Sequence, residues 1–131
     1  MTACPLGTRA VHALAVPVAL AVLAGCAAQI KPGEPKSVVA LAIHPYETHA
    51  QCARLVPDDR LDYSFEATEP VSFDIRYREG SAVVAPIARE STRADAGVFI
   101  AQIARDYCLF WEAGAAGALL DYRIRLRPAR R

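Results

Sequence analysis

Hydrophobic and polar residues alternate along several segments of the chain, and this period of two is typical of half-buried β-strands. The alternation is clearest in residues 61–66, 71–78 and 120–127. In these segments we expect the large apolar side chains to face a core and the polar ones to face solvent. The residues predicted to point inward are Leu61, Tyr63, Phe65, Val71, Phe73, Ile75, Tyr77, Leu120, Tyr122, Ile124 and Leu126.

Further segments rich in apolar, β-branched or aromatic residues predict additional strands at 37–43, 46–55, 82–88, 91–104 and 106–112. Pro86 makes the strand at 82–88 a candidate edge strand. Residues 91–104 could instead form a helix capped by Ser91 or Thr92, but Gly97 would interrupt it, so we predict a strand. Seven or eight short strands with frequent turns indicate an all-β fold, a small antiparallel β-sandwich.

The first 25 residues have the pattern of a bacterial lipoprotein signal peptide. Arg9 is followed by an uncharged, mostly apolar run, and the small residues Ala24 and Gly25 stand directly before Cys26. Small residues give a peptidase access to the bond, and the thiol can be alkylated by a diacylglyceryl group. We therefore expect cleavage before Cys26 and attachment of acyl chains such as palmitate, which would hold the protein at a membrane.

Two other interpretations of this segment stay open. A transmembrane helix would need about 20 apolar residues, whereas this run is shorter and contains Pro17. Ordinary secretory cleavage after Ala28 would leave no lipid. In the proteobacterial sorting scheme that the signal resembles, aspartate after the acylated cysteine favours the inner membrane. Because Ala27 stands there, we expect the periplasmic side of the outer membrane.

Composition divides the remaining chain into a linker and one small domain. Residues 26–36 contain two prolines and a glycine and show no periodicity, which predicts a lipidated, flexible tether with a reach of roughly 30 Å. Residues 37–131 would form the β-sandwich domain. Loss of the signal peptide would remove one of the 15 basic residues, so 14 basic residues would balance 14 acidic ones. A chain without net charge would have no overall electrostatic field to attract nucleic acid.

Two cysteines remain once Cys26 is assigned to lipid. Cys52 and Cys108 can pair in only one way, and the compartment outside the cytoplasm is oxidising, so we predict a disulfide between them. Two buried free thiols remain an alternative. A metal pair is disfavoured because no CxxC spacing and no cluster of histidines accompanies either cysteine.

The order of these features resembles the GOLD domain of the emp24/p24 cargo-receptor group and its bacterial look-alikes. The resemblance covers roughly residues 46–127: Cys52, an alternating strand, the segment 70–80, the aromatic segment 107–111 around Cys108, and a final alternating strand. It implies a small sandwich with bridged cysteines that binds proteins or lies against membranes. The family's C-terminal coiled coil and transmembrane helix have no counterpart here, so cargo binding is not carried over.

Arginines alternate outward on two predicted strands. They are Arg76 and Arg78 on the central strand and Arg123, Arg125 and Arg127 on the last strand. If these strands share a sheet, the guanidinium groups would form a patch for carboxylates or phosphates of a protein partner or of anionic lipid. The alternative is a solvated face whose arginines pair with Asp74, Asp121 and Glu79.

Residues able to support catalysis are sparse. His44 and His49 flank Pro45 with Glu47 between them, which leaves a periplasmic metal-binding protein or enzyme as the second hypothesis. No phosphate-binding loop or nucleophile elbow occurs. The sequence therefore predicts a non-catalytic, lipid-anchored binding or structural module of the cell envelope, with an envelope protein as its expected partner and with no cofactor and no bound metal.

Overall fold

The computed structural model describes residues 29–130, and these residues form six antiparallel β-strands. The strands are β1 (Lys36–Ile43), β2 (Thr48–Leu55), β3 (Arg60–Glu79), β4 (Ala82–Ile100), β5 (Arg105–Ala113) and β6 (Ala118–Arg127). Their order is β1-β6-β3-β5-β2, with β4 paired to the other edge of β3. The described part of the chain contains no helix long and apolar enough to cross a membrane.

The long strand β3 belongs to both layers of the sandwich. Its residues 60–67 pair with β6, its residues 71–76 pair with β5, and β4 follows it along both parts. The register with β4 shifts between Glu66 and Val71, where the strand changes layers. We call the layer built on residues 60–67, with β1 and β6, the first half-sheet. The layer built on residues 71–79, with β2 and β5, is the second half-sheet.

Aromatic side chains from the inner faces of both half-sheets form the core. Trp111 on β5 is fully buried, and its ring centroid lies 4.8 Å from that of Tyr122 on β6 and 5.4 Å from that of Phe73. Phe65, from the first part of β3, contacts both Phe73 and Trp111. The predicted inward residues of the alternating segments are buried, apart from Tyr77, which is half-buried. The β-sandwich architecture is thus confirmed.

The strand count is lower than predicted because two pairs of predicted strands are continuous. Segments 61–66 and 71–78 are both part of β3, and segments 82–88 and 91–104 merge into β4, which ends at Ile100. Pro70 does not end the strand because it lies at the change of layer, where no ladder pairing with β4 or β5 involves it. Gly97 is accommodated in β4 opposite Tyr63.

The segment preceding β1 packs against the sandwich. Ile30 is only 5% exposed and belongs to the core. Gln29 forms a parallel bridge with Cys52 on β2, Pro32 forms one with Leu126 on β6, and the Gly33 N–H donates to the Leu126 carbonyl at 2.9 Å. From Gln29 to Gly33 the predicted tether is therefore docked between the two half-sheets. The predicted signal peptide and the acylation site Cys26 lie outside the described residues.

The predicted disulfide joins Cys52 and Cys108. These residues face each other across the β2–β5 ladder, with Cα atoms 4.0 Å apart. Their neighbours Ala53 and Tyr107 point into the core, so the disulfide lies on the outer face of the second half-sheet and joins adjacent strands of one layer.

The turns define two ends of the sandwich. At the end that we call lower, the Asp58 N–H donates a hydrogen bond to the Ala101 carbonyl. Asp59 accepts hydrogen bonds from the N–H groups of Ala101 and Ala129. At the upper end, the Tyr46 N–H donates to the Gly114 carbonyl, and Gly117 closes the β5–β6 turn with φ of 65°. A Cβ atom at Gly117 would lie 2.9 Å from the Ile43 carbonyl oxygen, so this turn needs glycine.

Replacing Ile30 tests whether the docked segment is part of the fold. We expect Ile30→Ala to lower the free energy of unfolding by about 2–5 kcal/mol, because it opens a cavity between the half-sheets. Lys31→Ala is the matched control, since Lys31 is exposed and should change stability little. Equal urea midpoints for the two variants would show that residues 29–33 contribute nothing to the core.

Candidate functional site

A groove of about 300 Å³ crosses the outer face of the second half-sheet near its lower end. It is lined by Arg54, Arg76, Tyr77, Arg78, Val83, Arg105, Asp106, Cys108 and Phe110, and we call it the arginine groove. Four guanidinium groups and one carboxylate therefore surround a concave surface whose floor includes an aromatic ring and the disulfide.

Strand register brings these arginines together. Arg76 pairs with Cys108, and Arg54 pairs with Asp106 on the opposite edge of β5. Because side chains alternate along a strand, Arg78 shares the outer face with Arg76. The sequence predicted Arg76 and Arg78 at this face but missed Arg54 and Arg105, because their neighbourhood depends on the β2–β5–β3 strand order.

Arg76 forms a fixed wall of the groove. It makes two hydrogen bonds and a salt bridge with Asp74, and its guanidinium carbon lies 4.1 Å from the centroid of the Phe110 ring. The hydrogen bond to Asp74 raises the pKa of Arg76 above its usual value. Its charge is permanent, and its position is held by an ion pair and a cation–π contact.

The other arginines of the groove are less engaged. Arg54 lies 3.7 Å from Asp106, and its side chain is 60% exposed, so this ion pair holds it weakly. Arg105 donates to the Ala104 carbonyl at 2.9 Å. Within residues 29–130, neither Arg78 nor Arg105 forms a salt bridge. The groove consequently keeps an excess of positive charge with donors available to an anion.

The second predicted set of arginines lies on the other layer. Arg123, Arg125 and Arg127 point outward from β6, which pairs with residues 60–67 of β3 and not with the part that carries Arg76. Arg127 binds Asp62 through two contacts of 2.7 and 2.8 Å. The single patch considered from the sequence is therefore two separate surfaces, one on each half-sheet.

The predicted acidic partners of the arginines are only partly used. Asp74 pairs with Arg76, whereas Asp121 accepts a hydrogen bond from the Ala40 N–H at 2.7 Å. An open cavity of about 520 Å³ lies beside Asp121 and Arg123 on the first half-sheet. Glu66 and Asp95 also line it, so three carboxylates and one guanidinium group surround this cavity and its lining is net acidic.

The two histidines are not brought together. His44 is exposed in the turn before β2, whereas His49 points inward and its ring packs near those of Trp111 and Tyr122. Within residues 29–130, no three His, Cys, Asp or Glu side chains are grouped closely enough to hold a metal ion.

A polar network surrounds His49. Its Nε2 atom lies 3.1 Å from the Tyr122 hydroxyl and 3.3 Å from the Gln51 amide nitrogen, and Lys36 donates to the Gln51 carbonyl oxygen at 2.8 Å. An amide nitrogen can only donate, so Nε2 accepts and the imidazole is neutral. Burial, assisted by the charge of Lys36, lowers the pKa of His49 below its ordinary value of 6.5.

The strand β4 presents a long edge. Among the described residues, β4 pairs only with β3 and is therefore an edge strand, which Pro86 predicted for the segment 82–88. Phe99 is the single buried residue of β4. Val83 and Val98 are each 49% exposed, and Ile100 is 44% exposed. By contrast, the edge of β2 is partly covered by Gln29. Unpaired backbone groups and exposed apolar side chains along one strand form a template for an added strand.

No protein-family model and no curated protein sequence matches this chain. Its fold is similar to that of several solved structures. One is Aeromonas hydrophila PliG, a periplasmic inhibitor of g-type lysozyme, with a TM-score of 0.51 and 7% identity, covering 71% of this chain and 86% of PliG. Another is the pre-peptidase C-terminal domain of a Bacillus anthracis collagenase, with a TM-score of 0.53 and 10% identity, covering 76% of this chain and 92% of that domain. At such low sequence identities, these TM-scores show similarity of fold alone.

The environment of His49 predicts a loss of stability in acid. Because the pKa of His49 is lowered on folding, the unfolded chain binds more protons around pH 6.5 than the folded chain. The stabilisation is complete above that pH and is lost as the pH falls from 6.5 towards the folded pKa. Urea midpoints at about pH 7.5 and 5.5 should therefore differ less in His49→Gln than in the native chain or in the control His44→Gln. An equal drop in all three proteins would contradict this role.

Proposed function

We propose that this chain is a lipid-anchored, non-catalytic binding module of the cell envelope, facing the periplasm from the outer membrane. The sequence around Cys26 supports the anchor, and Ala27 supports the outer-membrane location. The β-sandwich supplies a rigid body with free outer faces. The observation that carries the binding role is the exposed edge of β4.

The partner that fits this edge is an extended segment of another envelope protein. Strand addition would satisfy the free backbone groups of β4 with main-chain hydrogen bonds, while Val83 and Val98 would provide apolar contacts for alternate side chains. The edge has two parts, because the 19 residues of β4 follow β3 through the change of layer, with Val83 on the second half-sheet and Val98 on the first. Arg93 and Glu90 are exposed on the same strand and would restrict the choice of partner by charge.

The fold comparison agrees with this proposal. PliG is periplasmic and inhibits a lysozyme, so a sandwich of similar fold can act by binding a protein in the compartment proposed here. The resemblance to GOLD domains likewise favours protein binding. We propose neither lysozyme nor a cargo protein as the partner, because no residue pattern links this chain to either.

Photo-crosslinking in intact cells tests the proposal. A photoreactive amino acid at Val83 or Val98 of the full-length chain should yield a discrete adduct with an envelope protein, whereas the same amino acid at Leu119 should not. Leu119 is a matched control, because it is 46% exposed but lies on β6. Adducts at Leu119 equal to those at Val83 and Val98, or no adduct at either β4 position, would contradict binding through this edge.

A further inference from the structure

A cavity of about 330 Å³ opens on the side of the sandwich formed by β4. Because β4 belongs to both layers, the cavity lies between its two parts. Val84 and Pro86 line it from the second half-sheet, and Phe99 lines it from the first. Of the described residues that line it, only Gln102 is neither apolar nor aromatic. We call this space the apolar cavity, and its lining suits a group without charge.

The apolar cavity has a buried aromatic wall and an exposed aliphatic rim. Tyr107 is buried, its ring contacts those of Tyr77 and Phe99, and its hydroxyl donates to the Ile103 carbonyl at 2.9 Å. The rim residues Ile100 and Ile103 are 44% and 36% exposed, so binding of an apolar group would remove their surface from water. An apolar cavity of roughly 150 Å³ already holds a benzene ring, so this cavity has room for a large side chain.

The opposite side of the sandwich shows how such an opening is filled. There the extended segment 29–33 runs between the edges of the two layers, and Ile30 is buried in the core. Gln29 bridges Cys52 on one layer, and the Gly33 N–H donates to a carbonyl of β6 on the other. One aliphatic side chain and a few main-chain contacts thus close that side. Among residues 29–130, no segment plays this part at the apolar cavity.

Residues 94–100 form the part of the β4 edge that is best suited to strand addition. They pair in unbroken register with residues 60–66 of β3. In the other part, the register shifts between Ile75 and Tyr77 and Pro86 has no N–H group, so an added strand would meet a bulge and a missing donor. The outward side chains of residues 94–100 carry no charge that would protect the edge. They are Ala94, Ala96, Val98 and Ile100.

A strand added to residues 94–100 would direct alternate side chains into the opening between the layers. The residue opposite Phe99 would point inward, because directly paired residues share a face of the sheet. It would therefore enter the apolar cavity beside Phe99. The inward carboxylate of Asp95 lies 3.3 Å from the guanidinium group of Arg89, so this part of the edge does not require a charged partner residue.

We infer that the partner's segment pairs with residues 94–100 of β4 and places one large apolar side chain, such as leucine, isoleucine or phenylalanine, in the apolar cavity. The segment is of the same kind as residues 29–33, extended and with a single buried apolar residue. The main chain supplies affinity, and the apolar cavity selects the segment by the residue that enters it. This inference deepens the proposed function and rests on the strand addition proposed there.

Photo-crosslinking of cavity variants tests the inference in intact cells. The full-length chain carries the photoreactive amino acid at Val98 and one further substitution. Val84→Trp fills the apolar cavity, and Ile103→Glu places a charge at its rim. We expect each to lower the yield of the partner adduct at least about fivefold, because the anchoring side chain loses its site. Urea midpoints show whether each variant folds, and Ile103→Glu changes an exposed position where folding is least affected.

Leu119→Trp is the matched control. Leu119 is 46% exposed and lies on β6, away from the apolar cavity, so its substitution should leave the adduct yield unchanged. A photoreactive amino acid at Ile103 should crosslink to the same partner as one at Val98. Mass spectrometry of the crosslinked peptide should then place the bond at or next to a large apolar residue.

The outcomes separate this inference from the proposed function. No adduct at either Val83 or Val98 would overturn both. Adducts at Val83 alone, or a Val98 adduct whose yield is the same in all variants, would overturn the cavity assignment and leave binding by β4 in place. A bond from Ile103 to a charged residue, or an adduct between two copies of this chain, would also overturn the cavity assignment.

Discussion

The constraint on which the structure depends is the passage of β3 from one layer of the sandwich to the other. Because a single strand supplies Phe65 to one layer and Phe73 to the other, both aromatic rings reach Trp111. Burial of these large side chains stabilises the pairing of two half-sheets that share only β3 and β4. The core is closed on one side by this bent hairpin, and Ile30 closes part of the opposite side, between the edges of the two layers.

Because the inner faces of both half-sheets are buried in the core, the strand edges and the outer faces are the surfaces available for binding. The disulfide lies on an outer face, where it fixes β2 to β5 and thereby the distance between Arg54 and Arg76. The edge of β4 offers backbone groups to a protein strand, and the arginine groove, which Val83 of β4 also lines, offers guanidinium groups to an anion. The segment that completes the core would also carry the acyl chains, so anchoring and folding are coupled through residues 29–33.

Alternation predicted most of the core because each inward position is set by the period of two, as the burial of Leu120, Tyr122, Ile124 and Leu126 on β6 shows. The pairing of Cys52 with Cys108 followed from cysteine number and compartment. Strand continuity through Pro70 could not be predicted, since it depends on a change of layer that leaves the residue without a ladder partner. The groove was only partly predictable because Arg105 and Arg54 reach Arg76 through long-range register. Ile30 was missed because one apolar residue in a polar, proline-containing segment has no periodic signal.

The central functional claim is that the chain is held at a membrane by lipid a few residues before the docked segment. Such an anchor would restrict the β4 edge to partners within reach of the envelope. Mass spectrometry of the N-terminal peptide of the mature protein tests this claim most directly. The account predicts a peptide that begins at Cys26 and carries a diacylglyceryl group on its sulfur. A mature protein that begins at Gln29 with an unmodified N-terminus would contradict it.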